Sequence, residues 1–117
     1  MGKLTTHVLD TAAGAPGEGI QIELFRQTDN QWTLIETRRT NADGRCDEPL
    51  LEGNSFSQGQ YELHFHVGPY FDQSGLVLPN PKFFDEVVLR FGIADAEEHY
   101  HVPLLISPFG YSTYRGS

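Results

Sequence analysis

An all-β sandwich of seven or eight short strands with one short helix is the fold this sequence predicts, and three observations carry it. Apolar and polar residues alternate with a period of two through most of the chain, as half-buried strands require. Clusters of turn-forming residues interrupt that alternation at short, regular intervals. Only one brief stretch carries both a helix start and a helix stop signal.

The first strand is Leu4–Leu9, with Leu4, Thr6 and Val8 on one side and Thr5, His7 and Leu9 on the other. Ala13–Gly19 cannot continue it, because three glycines and a proline fall within seven residues. Ile20, Ile22 and Leu24 then alternate with Gln21 and Glu23, and Thr28-Asp29-Asn30 reads as a hairpin loop into a strand over Trp32–Thr37. Asn41-Ala42-Asp43-Gly44 is a tight turn. The cleanest strand is Tyr61–Val67: Tyr61, Leu63, Phe65 and Val67 form its core side, Glu62, His64 and His66 its polar side. Pro69–Gly75 predicts about two helical turns, Pro69 opening and Gly75 closing them. Leu78-Pro79-Asn80-Pro81 forces an extended connection. Val87, Leu89, Phe91 and Ile93 make another alternating strand, and Tyr100–Ser107 and Tyr111–Tyr114 complete the set. With no internal repeat, linker or low-complexity stretch, residues 1–117 read as a single domain.

Charge narrows the function. Eight Lys+Arg against 16 Asp+Glu leave a net charge of −8, which argues against a nucleic-acid or anionic-membrane surface. A small anionic ligand stays open wherever positive charge is gathered locally. One cysteine, Cys46, excludes an intrachain disulfide and a cysteine-rich zinc site. Nothing approaches the length of an apolar membrane span, and no apolar run follows Lys3 as in a secretory signal, so a cytoplasmic location is expected.

Five histidines are many for this length, and four form two His-x-His pairs. Residues i and i+2 share one face of a strand, so His64/His66 or His99/His101 could each chelate a metal. For His64/His66 a solvated polar face is the favoured reading, since the opposite side of that strand is core. His99/His101 precede the apolar run Pro103-Leu104-Leu105-Ile106, so their face is expected to meet another surface. His7, between Thr5 and Leu9 on its strand face, reads first as a hydrogen-bonded, half-buried residue. No nucleophile elbow, His-Glu-x-x-His or phosphate loop is present. Cys46 follows Arg45, yet a packed or merely exposed thiol is its expected state. The chain end keeps two tyrosines and an arginine where termini are ordinarily polar and frayed, which suggests a docked tail.

Three separated segments, Leu4-Thr5-Thr6-His7-Val8-Leu9-Asp10-Thr11, Thr40-Asn41-Ala42-Asp43-Gly44-Arg45 and Tyr114-Arg115-Gly116-Ser117, together resemble the 5-hydroxyisourate hydrolases, relatives of transthyretin. The resemblance spans essentially the whole chain. It implies a transthyretin-like (prealbumin-like) sandwich, assembled as a homotetrameric dimer of dimers with active sites in a channel between dimers. The implied reaction is hydrolysis of 5-hydroxyisourate to 2-oxo-4-hydroxy-4-carboxy-5-ureidoimidazoline, a step of urate degradation to allantoin, with no cofactor and no metal. Carried over by motif, His7, Arg45 and His101 are the catalytic candidates. His7, Arg45, Tyr114, Arg115, Gly116 and Ser117 are the substrate-binding ones, and His101 is preferred to His99 from the match alone.

That assignment suits the chemistry. Opening a ring amide with water needs a base that is neutral near pH 7, which imidazole supplies. It also needs fixed positive charge where an oxyanion develops, which Arg45 supplies. The division of acid and base roles between His7 and His101 stays open at this point. Two other readings compete: a transthyretin-like tetramer that binds a small ligand without catalysis, and a metal-dependent hydrolase built on the two His-x-His pairs.

Overall fold

The strands fall into two sheets because each buries alternate residues against the other layer. A computed structural model describes residues 1–117. Its strands are β1 (Lys3–Asp10), β2 (Ala15–Pro16), β3 (Gln21–Thr28), β4 (Gln31–Arg39), β5 (Leu51–Glu52), β6 (Gly59–Phe65), β7 (Val87–Ile93), β8 (Tyr100–Ser107) and β9 (Gly110–Thr113). One helix, α1 (Val67–Asp72), and a single 3-10 turn at Gly53–Ser55 complete the set. One sheet runs β2-β1-β8-β9, with β5 joining β1; the other runs β4-β3-β6-β7. β1 and β8 pair in parallel, whereas the other pairings are antiparallel.

The core lies between the sheets. β1 contributes Leu4 and Val8, β3 Ile22 and Leu24, β6 Leu63 and Phe65, β8 Leu104 and Ile106, all essentially without exposure. Each such aliphatic side chain contributes about 1.5–3 kcal/mol by leaving water. Burying Leu4, Thr6, Val8 and Asp10 turns Thr5, His7 and Leu9 outward, and the same period turns His101 outward from β8. Asp10 is buried at the end of β1, where it accepts backbone N–H bonds from Ala12 and Ala13 and the Tyr70 hydroxyl at 2.7 Å. Burial, then the Asp10 carboxylate, pushes the Tyr70 hydroxyl up to about 12.

The architecture is the expected β-sandwich, with local differences. Ala13–Gly19 does hold a strand, though only the two-residue β2, which pairs with Leu9 and Asp10. Without it and the equally short β5, seven strands of full length remain. The helix begins at Val67, so Pro69 occupies its third position rather than its first; no N–H is required in that first turn. Asp29 and Asn30 both take positive φ, 52° and 64°, which closes the β3–β4 hairpin in two residues.

Candidate active site

The parallel register of β1 and β8 sets Thr5 opposite His101 and His7 opposite Pro103. Arg45 arrives from the turn after β4. Asn41 Oδ1 accepts N–H bonds from Asp43 and Arg45 at 2.9 and 3.1 Å, folding the turn on itself. Gly44, at φ 76°, must be glycine: a Cβ there would lie 2.2 Å from the Val8 carbonyl. Val8 N–H donates to the Gly44 carbonyl at 2.8 Å, which places Arg45 in a backbone bridge with His7. The His7 Nε2–H in turn donates to the Asp43 carbonyl at 2.9 Å, since a carbonyl can only accept.

The chain end folds back onto β8. Gly116 N–H donates to the His101 carbonyl at 2.8 Å and the two residues form an isolated bridge. Ser117 then reaches a cavity of about 470 Å³ that Lys3, Thr5, Arg45, His99 and His101 also line. Lys3 and Arg45 have no carboxylate within ion-pair distance, so a chain of charge −8 presents two unpaired cations here. Burial, the Arg45 charge and then His7 hold the His101 imidazole below its ordinary 6.5, with the Thr5 backbone opposing them. That direction favours the neutral imidazole, in a cavity whose wall carries Lys3 and Arg45 together with the Glu48 carboxylate.

Of the residues singled out in the sequence, Arg45, His101 and Ser117 share this cavity, and Gly116 packs on the His101 ring. His7 stands alongside, close enough to act on His101 electrostatically, with Nε2 turned to the Asp43 carbonyl. Tyr114 and Arg115 do not join them within one chain. Both line a separate cleft of about 300 Å³ beside Tyr100 and Val88. The reason is local: the Arg115 guanidinium stacks 4.0 Å over the Tyr100 ring, donates to the His99 carbonyl at 3.0 Å and pairs with Glu98 at 3.3 Å. Lys3 and Thr5 escaped the sequence reading, because nothing local says that β1 will lie against β8. His99 proves to line the same cavity as His101.

The two His-x-His pairs do not converge, since His64 belongs to β6 in one sheet and His101 to β8 in the other. His64 and His66 meet the carboxylates of Glu62, Glu86 and Glu23, and no group of three or more His, Cys, Asp or Glu is arranged to hold a metal ion.

A family model described as the HIUase/Transthyretin family matches residues 4–116. The chain belongs to that family. Among HIUase/Transthyretin relatives, the 5-hydroxyisourate hydrolase of Pseudomonas aeruginosa is 62% identical over 117 residues, which are 100% of this chain and 93% of that one. Of solved structures, (S)-allantoin synthase superposes with a TM-score of 0.94 at 46% identity, covering 99% of this chain; the match spans 44% of that longer chain. The 5-hydroxyisourate hydrolase of Klebsiella pneumoniae aligns over the full length of both chains at 33% identity and a TM-score of 0.82. These likenesses include enzymes from the HIUase branch of the family and reach both ends of the chain.

Proposed function

We propose that residues 1–117, acting as one domain, form a hydrolase that opens the six-membered ring of 5-hydroxyisourate to 2-oxo-4-hydroxy-4-carboxy-5-ureidoimidazoline. The observation that carries the proposal is the cavity itself, which brings together His101, held below its ordinary 6.5, and an unpaired Arg45, with the terminal Ser117 on its wall. In this mechanism His101 takes one proton from water while the water oxygen bonds to a ring carbonyl carbon. Arg45 stabilises the oxyanion that results. Collapse breaks the carbon–nitrogen bond, and the proton held on the imidazole goes to the leaving nitrogen, so the water is fully used. His7 stands beside them with its Nε2–H tied to the Asp43 carbonyl.

The reading extends to a homotetramer in which each active site is completed by a neighbouring subunit. It is supported by β7 and β9, each the end strand of its sheet, which share a cleft through Val88 and Thr113, with Val88, Tyr111 and Tyr114 exposed by 43%, 41% and 62%. No helix is long and apolar enough to cross a membrane. The reading assigns the reaction to the cytoplasm, where the Cys46 thiol would stay reduced.

The test generates 5-hydroxyisourate from urate with urate oxidase and follows its ultraviolet decay. Decay should accelerate in proportion to added protein, and dialysis against a strong chelator should leave that acceleration intact. Decay at the uncatalysed rate would refute the proposed activity, and loss after chelation would refute its metal-free mechanism.

A further inference from the structure

The His101 ring is gripped on two edges. The Thr5 hydroxyl lies 2.9 Å from Nδ1, carried there by the parallel pairing of Thr5 with His101. Against the other edge, Gly116 comes so near that a Cβ on it would stand 2.6 Å from Cδ2. Nε2 has no hydrogen-bond partner within the chain, and His101 lines the cavity. A neutral imidazole carries one proton, so the nitrogen that holds it decides whether Nε2 can accept another from water.

We propose that Thr5 is a positioning residue that holds His101 in its Nδ1–H tautomer, so that the Nε2 lone pair faces the cavity as the base. The inference rests on the hydrolase reading above and assigns the role that the sequence left open between His7 and His101. Two observations favour this tautomer. The Thr5 hydroxyl, 2.9 Å from Nδ1, can accept an N–H from it, and the Thr5 backbone also favours the protonated ring. His7 is fixed in the opposite sense, its Nε2–H given to the Asp43 carbonyl. A strand residue, Thr5, and a turn residue, Asp43, thus hold the two imidazoles through different nitrogens, and His101 is the one with Nε2 left over.

Thr5→Val removes the hydroxyl while keeping the β-branched shape that suits a strand; Thr5→Ser keeps the hydroxyl. Long-range nitrogen–proton NMR spectra of the full-length wild type, without substrate near pH 7.5, should show His101 protonated on Nδ1. In Thr5→Val that preference should weaken and kcat should fall about 10- to 100-fold, with KM changed less than about threefold. The acid limb of its pH profile should move to lower pH, because the imidazolium loses the Thr5 hydroxyl as acceptor at Nδ1. Thr5→Ser should return kcat to near the wild-type value. A wild-type His101 protonated on Nε2 would overturn the proposal, and so would a Thr5→Val enzyme with unchanged kcat and pH profile. Failure of the wild type to speed 5-hydroxyisourate decay would instead sink the hydrolase reading, while the spectra would still decide the tautomer.

Discussion

β6 and β8 each hold one histidine of a His-x-His pair and border the other, and the chain surrounds the two pairs with opposite charge. On β6, His64 Nε2 is 2.9 Å from Glu62 and Nδ1 is 2.7 Å from Glu86, while His66 Nε2 is 2.6 Å from Glu23. Both nitrogens of His64 are already engaged. On β8, His101 has a hydroxyl on one nitrogen, with the Arg45 guanidinium and the His7 ring as its neighbours. The spacing that puts two imidazoles on one face says nothing about their chemistry. The charges brought in from other strands decide whether a histidine is one arm of an ion pair or a free base.

Removing the two histidines in turn should break the comparison most visibly. His101→Asn is expected to lower kcat/KM by about 10²–10⁴-fold, the usual contribution of a general base, whereas His64→Asn should leave it unchanged. Comparable losses from both would mean that the contrast in charge carries no functional weight. Arg45→Gln should cost about 10²–10³-fold through lost oxyanion stabilisation. It should also move the acid limb of the rate profile upward toward 6.5, because His101 would hold its proton more readily without the neighbouring cation. An acid limb that stays in place would show that Arg45 does not set the field at His101. Gly116→Ala should reduce kcat about tenfold or more by pushing the ring from its place while the melting temperature barely moves.

The smallest effect belongs to the acidic face. Burial works to raise the Glu62 carboxyl, but hydrogen bonds from His64 and Arg90 outweigh it and hold the group below its ordinary 4.5. A carboxyl lowered by folding contributes stability that is complete above the unfolded value and is lost as pH falls through the folded one. Glu62→Gln should therefore lower stability by about 1–3 kcal/mol at pH 7 and flatten its decline below pH 4.5, with turnover intact. Equal acid sensitivity in wild type and variant would remove Glu62 from the account of that face.

Much of the sandwich was legible because burial on one side imposes a period of two, which Tyr61–Phe65 and Val87–Ile93 display openly, although the same alternation runs on to Val67, where the helix has begun. The Asp29-Asn30 turn was legible too, since both residue types tolerate positive φ. The helix start was displaced because Pro69 is as well suited to the third helical position as to the first. Pairing was hidden. Thr5 meets His101 across 96 residues, and a parallel register leaves no local turn to announce it. The partners of His64 and His66 were hidden because spacing alone does not show which strands will pair, Glu23 and Glu86 arriving from β3 and from the approach to β7. Arg115 misled because its motif marks the tail as a unit, while its own charge is answered by Glu98 and Tyr100.

The central claim is that the fold keeps His101 neutral beside fixed positive charge, and an NMR titration of its ring in the intact protein measures that directly. The account predicts a midpoint clearly below 6.5, rising when Arg45 is replaced by Gln. A wild-type midpoint at or above 6.5, unmoved by that replacement, would contradict it.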